Sequence, residues 1–125
     1  MENPSPKKIL IVDDDQAFVK ALTTFLSGHG FTVIVALDAT YAIQYVIKEN
    51  IALVILDLGL PCGGGLYVLE NIRKVRKNVQ VRIIVSTANV APGIEEQSRD
   101  SGADDFLLKP YDLEKLLELI KAQLA

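Results

Sequence analysis

The sequence predicts an α/β fold: a doubly wound, five-stranded parallel sheet in the order 2-1-3-4-5, flanked by five helices. Three observations predict it. Short apolar runs rich in β-branched residues alternate five times with apolar residues at helical spacing, and crossovers of helix length join parallel strands. The runs are apolar at nearly every position, as strands covered on both faces must be. The central run, Leu53-Val54-Ile55-Leu56, ends on a single carboxylate, Asp57. A buried, unpaired carboxylate is costly, so Asp57 belongs at the strand's carboxyl end, the edge where open parallel sheets bind ligands.

Each element follows in order. Lys7 to Val12 reads as a first strand, closed by Asp13-Asp14-Asp15. Phe18, Ala21, Leu22, Phe25 and Leu26 then mark one helical face, with Asp15 as its N-cap and Gly28-His29-Gly30 as its stop. Phe31 to Ala36 is a second strand; Asp38 caps a second helix whose apolar face is Ala39, Ala42, Ile43, Val46 and Ile47. The Asp57 strand comes next. Pro61 to Gly65 reads as a loop, and a third helix over Leu66–Lys77 buries Val68, Leu69, Ile72 and Val75.

Val81 to Val85 is a fourth strand running into Ser86-Thr87-Ala88. The fourth helix, Val90 to Ser101, carries Pro92 and Gly93 near its start and offers the core little beyond Ile94, so its local opening should be cheap. Ala103 to Leu108 is a fifth strand leading to Lys109-Pro110. Asp112 caps a last helix with Leu113, Leu116, Leu117, Ile120 and Leu124 on one face.

Composition narrows the function. The 125 residues make one domain, 7–125, behind a flexible lead-in, 1–6, and half of them are hydrophobic, as in a globular chain. A net charge of −3 argues against direct nucleic-acid binding, which needs a basic face. The single cysteine, Cys62, excludes an internal disulfide and a cysteine-built zinc site and suits a reducing compartment. With no signal-peptide core and no apolar stretch of membrane length, a soluble cytoplasmic protein is expected.

The predicted strand order gathers chemistry at one edge. Strand 1 brings Asp13 and Asp14, strand 3 brings Asp57, strand 4 brings Thr87 and strand 5 brings Lys109. Carboxylates packed together raise one another's pKa unless a cation joins them. Mg²⁺, which takes oxygen ligands and tolerates one or two carboxylates beside a phosphate, suits this set. A carboxylate nucleophile, a metal site, a hydroxyl and a lysine are the components of phosphoryl transfer to aspartate.

Four motifs in this order, ILIVDDD at 9–15, LVILDLGLP at 53–61, IIVSTA at 83–88 and GADDFLLKP at 102–110, make the chain resemble a CheY-like response-regulator receiver domain of two-component signalling. The resemblance covers nearly everything from Lys7 onward. It implies Asp57 as phosphoacceptor, and Mg²⁺ held by Asp14, Asp57 and the Gly59 backbone carbonyl, with Asp13 acting through a water. It further implies Lys109 on the phosphoryl group ahead of a cis bond to Pro110, the Ala88 N–H as a donor, and Thr87 and Phe106 as a coupled switch. The implied partners are a sensor histidine kinase or a histidine phosphotransfer protein, and an unknown target met through the helix 4, strand 5 and helix 5 face. Such a chain is a switch that assists its own phosphorylation and dephosphorylation rather than a turnover enzyme.

Some residues depart from the family's usual pattern. Cys62-Gly63-Gly64-Gly65 lacks the customary aspartate, and its glycines predict a mobile loop. Gly59 leaves the acceptor open to water, which Asn89 could orient. Phe106 lacks the frequent tyrosine hydroxyl, favouring an inward ring. Two other classes are disfavoured. A haloacid dehalogenase-type phosphatase would place threonine or valine after Asp15, where Gln16 and Ala17 stand. A flavodoxin-like flavin carrier needs a hydroxyl- and glycine-rich first loop in place of three aspartates.

Overall fold

A computed structural model describes residues 6–60, 64–75 and 80–125. Ten elements alternate: β1 (Lys8–Val12), α1 (Gln16–Gly28), β2 (Thr32–Ala36), α2 (Ala39–Lys48), β3 (Ile51–Leu56), α3 (Gly64–Val75), β4 (Arg82–Thr87), α4 (Ile94–Asp100), β5 (Asp105–Leu108) and α5 (Leu113–Leu124). All strand pairings are parallel, in the order β2-β1-β3-β4-β5, as the alternation predicts.

The period-2 geometry of a strand divides the apolar runs between two cores. Leu10, Val12, Val54, Leu56, Ile83 and Val85 pack with α2 and α3. Ile9, Ile11, Leu53, Ile55 and Ile84 pack on the other face, with α1 and α5. Every one of these strand residues is almost wholly buried, which is why the runs are continuous rather than alternating.

Capping follows the sequence at two helices and departs from it at a third. Asp15 accepts a hydrogen bond from the Phe18 N–H at 3.2 Å, and Asp38 accepts from Tyr41 at 3.0 Å. Asp112 occupies the N-cap of α5, but its side chain makes no capping bond. At the end of α1 the His29 N–H reaches back to Leu26, and its ring Nδ1 lies 2.9 Å from the Phe25 carbonyl.

Several expectations need correction. In α1 the buried stripe is Val19, Leu22 and Leu26, with Ala21 exposed; Phe18 and Phe25 flank that stripe half-buried. Ile47 is 55% exposed and Val75 43%, because each lies off the seam that its helix turns toward the sheet. α4 starts at Ile94 instead of Val90. Gly93 is left-handed at φ 78°, Asn89 Oδ1 accepts from the Ala91 N–H, and this turn leaves Val90 76% exposed.

The β5 register starts at Asp105, one residue after the Asp104 N–H donates to the Ile83 carbonyl at 2.8 Å; Ala103 instead bonds back to Ser98, and Gly102 has φ 118°. α3 opens at Gly64, inside the expected loop. The Cys62 loop, the lead-in before Pro6 and the expected end of α3 at Lys77 lie outside the described residues.

Candidate functional site

The sheet register assembles the site. Val12 pairs with Leu56 of β3 and Ala36 of β2. The next residues hold the ladder for one more step: the Asp57 N–H donates to the Val12 carbonyl at 2.9 Å, and Asp13 donates to Ala36 at 3.2 Å. Asp13 and Asp57 therefore leave adjacent strands at the same level. On the other side, Thr87 pairs with Leu108, and the Lys109 N–H donates to the Thr87 carbonyl at 2.7 Å.

One oxygen from each of Asp13, Asp14 and Asp57 lies within 4.8 Å of the others. Asp13 is 2% exposed, whereas Asp14 is open to solvent. The Lys109 ammonium lies 2.7 Å from Asp13 Oδ2 and 3.8 Å from Asp57 Oδ2. Lys109 thus pairs more closely with the buried Asp13 than with Asp57. Asp13 Oδ1 accepts from the Asp15 N–H at 2.9 Å, and Asp57 Oδ1 accepts from the Gly59 N–H at 3.1 Å. Burial pushes the Asp13 carboxyl above its ordinary value, and the Lys109 hydrogen bond opposes the rise without overcoming it.

The remaining sequence-selected residues lie on the neighbouring strands and their connections. Thr87 is buried, and its hydroxyl accepts from the Asn89 N–H at 3.2 Å; Ala88 follows it, exposed. The oxygen of the Asn89 side chain is committed to its own turn. Phe106 is half-buried, packed on the α2–α3 core. It borders a cavity of about 250 Å³ with Val90, Ile94 and Leu108. The Lys109–Pro110 bond is cis. A Cβ at Gly59 would sit 3.6 Å from Asp57 Oδ1, an ordinary contact, so a side chain there would lie against the carboxylate.

Four residues near the cluster escaped the sequence reading. The Phe18 ring lies under the Lys109 ammonium, 4.2 Å from centroid to Nζ. Tyr111 meets Phe18 edge-on and bonds Ser86. Gly65 of α3 passes so close to the chain leaving β3 that a Cβ would fall 2.4 Å from Leu58 Cα. The sequence places Phe18 only on a helix face and gives Tyr111 no role, although a tyrosine two residues after Lys109 is a polar tip that needs a partner when buried. Burial pushes the Tyr111 hydroxyl up to about 12.

Comparison with known proteins decides the family. The response regulator receiver domain model matches residues 9–121. The chain belongs to the response regulator receiver family. Response regulator MprA of Mycolicibacterium vanbaalenii is 33% identical over 119 residues, which span 95% of this chain and 51% of that protein. The receiver thus spans about half the length of the curated relatives it matches.

Among solved structures, a CheY-like response regulator receiver domain protein from Methanospirillum hungatei superposes with a TM-score of 0.90 at 32% identity. That match covers 96% of this chain and 94% of the other. A response regulator protein from Burkholderia pseudomallei, solved with a phosphorylated aspartic acid, a calcium ion and citrate, matches with a TM-score of 0.81. It is 25% identical, over 95% of this chain and 73% of that one. The receiver is accordingly a module of two-component signalling, and no helix among its described residues is long and apolar enough to cross a membrane.

Proposed function

We propose that this receiver is a phosphorylation-controlled switch in which Asp57 accepts a phosphoryl group from a histidine kinase or a histidine phosphotransfer protein. The observation that carries the reading is the meeting of Asp57 with Asp13, Asp14 and Lys109 at one sheet edge. An Asp57 oxygen attacks phosphorus, the P–N bond to the donor histidine breaks, and an acyl phosphate remains. Three carboxylates against one ammonium leave a surplus of negative charge built from oxygen donors, which fits a hard divalent cation. Asp14, Asp57 and the Gly59 carbonyl, with Asp13 through a water, would hold Mg²⁺, which when bound neutralises phosphoryl oxygens.

The protein groups then act by position. Lys109 is poised to pass from Asp13 to a phosphoryl oxygen as charge accumulates on Asp57. The Ala88 N–H donates to another oxygen, and the Thr87 hydroxyl exchanges its Asn89 partner for the phosphate. Phe106, packed beside the cavity under α4, follows Thr87 and changes the α4–β5–α5 face that a downstream target reads. The Burkholderia structure, with its phosphorylated aspartic acid and calcium ion, supports both the acceptor and the cation. A cytoplasmic switch without ordinary turnover fits this scheme.

Incubation with Mg²⁺ and acetyl phosphate, followed by intact mass measurement, tests the reading. A phosphoryl adduct is expected on the wild type and none on Asp57→Ala; no adduct on the wild type, or equal adducts on both, overturns it. The metal is tested separately by thermal unfolding. Magnesium at ten to a hundred times its Kd should add roughly 1–3 kcal/mol of stability by linkage. Asp14→Ala should lose most of that gain, and an unchanged response would reject Asp14 as a ligand.

A further inference from the structure

We propose that Phe18 and Tyr111 are positioning residues for Lys109: the Phe18 ring face, braced by Tyr111 on Ser86, sets where the ammonium rests between Asp13 and Asp57. A lysine ends in a compact charge on a flexible four-carbon stem. Its ion pairs do not by themselves fix where the ammonium sits, because Asp13 and Asp57 both attract it, at 2.7 and 3.8 Å. The Phe18 centroid 4.2 Å from Nζ adds a third, directional attraction through the ring quadrupole. The Lys109 side chain is only 17% exposed, so water competes weakly for the ammonium.

Phe18 is itself tied to the cluster. Its N–H donates to Asp15 Oδ1 at 3.2 Å, while the Asp15 N–H donates to Asp13 Oδ1 at 2.9 Å. The contacts close a ring from Asp13 through Asp15 and Phe18 to Lys109 and back to Asp13. On the far side, Tyr111 meets Phe18 at a centroid separation of 6.3 Å and an interplanar angle of 78°, the edge-on arrangement favoured by aromatic quadrupoles. The Tyr111 hydroxyl lies 2.6 Å from Ser86 Oγ, and Ser86 is 1% exposed. One of the two hydroxyls donates and the other accepts, so turning the Tyr111 ring would take this partner from the buried Ser86 hydroxyl. Aliphatic side chains could fill the same space, but they would offer Lys109 no ring face.

The inference rests on Asp57 as phosphoacceptor, and its test separates the two. Phe18→Leu keeps bulk and removes the ring face; Phe18→Tyr keeps the ring. Proton resonances of the Lys109 terminal methylene should show an upfield ring-current shift in the wild type and in Phe18→Tyr, and lose it in Phe18→Leu. Phosphorylation by acetyl phosphate should slow roughly 3- to 30-fold in Phe18→Leu, the range of a partly desolvated cation–π contact. The rate should recover in Phe18→Tyr, with magnesium affinity within about twofold throughout. Tyr111→Phe, which lacks the Ser86 anchor, should fall between wild type and Phe18→Leu. An unmoved Lys109 resonance in Phe18→Leu, or equal slowing in Phe18→Leu and Phe18→Tyr, overturns the proposal. If the wild type takes no phosphoryl group, the acceptor reading fails and the Lys109 resonances alone decide the placement.

Discussion

Lys109→Met is expected to cost about 3 kcal/mol of stability at neutral pH, near the lower end for breaking a buried ion pair, and little at pH 4. The variant keeps the aliphatic stem but removes the ammonium 2.7 Å from Asp13, a carboxylate only 2% exposed. Burial already holds the Asp13 carboxyl above its ordinary value, and the Lys109 hydrogen bond and charge are among the influences that oppose the rise. Without them it climbs further. A carboxyl whose folded value is raised keeps its proton in the native state after the unfolded chain has lost it. Unfolding then releases a proton, and stability falls as pH rises from the ordinary carboxylate range through the raised folded value.

The wild type should show a shallow form of this decline and Lys109→Met a steeper one that extends to higher pH. Millimolar Mg²⁺ should return part of the loss by supplying another cation to the cluster. Urea unfolding at a series of pH values measures it. A gap of equal size at pH 4 and pH 7 would show that the cost lies in packing and not in the charge of Asp13.

Gly65→Ala is expected to be the most damaging small substitution outside the charged cluster. A Cβ at this buried position would lie 2.4 Å from Leu58 Cα and 2.5 Å from the Asp57 carbonyl oxygen. Both are backbone atoms on the chain leaving β3, so no side chain can swing aside. The first turn of α3 must back away, loosening Leu58 and Leu60 from the core and shifting Asp57. Overpacking of this kind costs about 1–3 kcal/mol or more, a fall in Tm of roughly 5–15 °C. Phosphoryl uptake should fall with it. Gly28→Ala, where a Cβ meets nothing within 4 Å, is the control, and its Tm should hold or rise slightly. Equal melting of the two variants would refute the steric argument.

The fold was largely readable because its cues are local. Ile9 to Val12 and Leu53 to Leu56 are apolar on both faces because each is covered twice, and Asp15 and Asp38 announce their helices by hydrogen bonds three residues long. Sequence and structure part where those cues weaken. α4 has one buried residue, Ser98, so apolar spacing could not mark its start; the left-handed Gly93 did. Ala21, Ile47 and Val75 fall within the predicted apolar faces because a helical pattern tolerates neighbours on either side of its seam, and only the sheet's position tells which side faces water.

The same division runs through the site. Strand-end chemistry and crossover length are enough to bring Asp13, Asp14, Asp57, Thr87 and Lys109 to one edge, since parallel connections deliver every strand's carboxyl end to the same side. They cannot say that Lys109 leans toward Asp13, 96 residues away, or that a phenylalanine from α1 lies beneath the ammonium. Nor can they say that Gly65 is the one residue small enough to pass Leu58. Those facts depend on distances of a few ångströms between elements remote in sequence. Such distances are set by how α1, α3 and the β5–α5 connection pack on the sheet, and no periodicity along the chain encodes them.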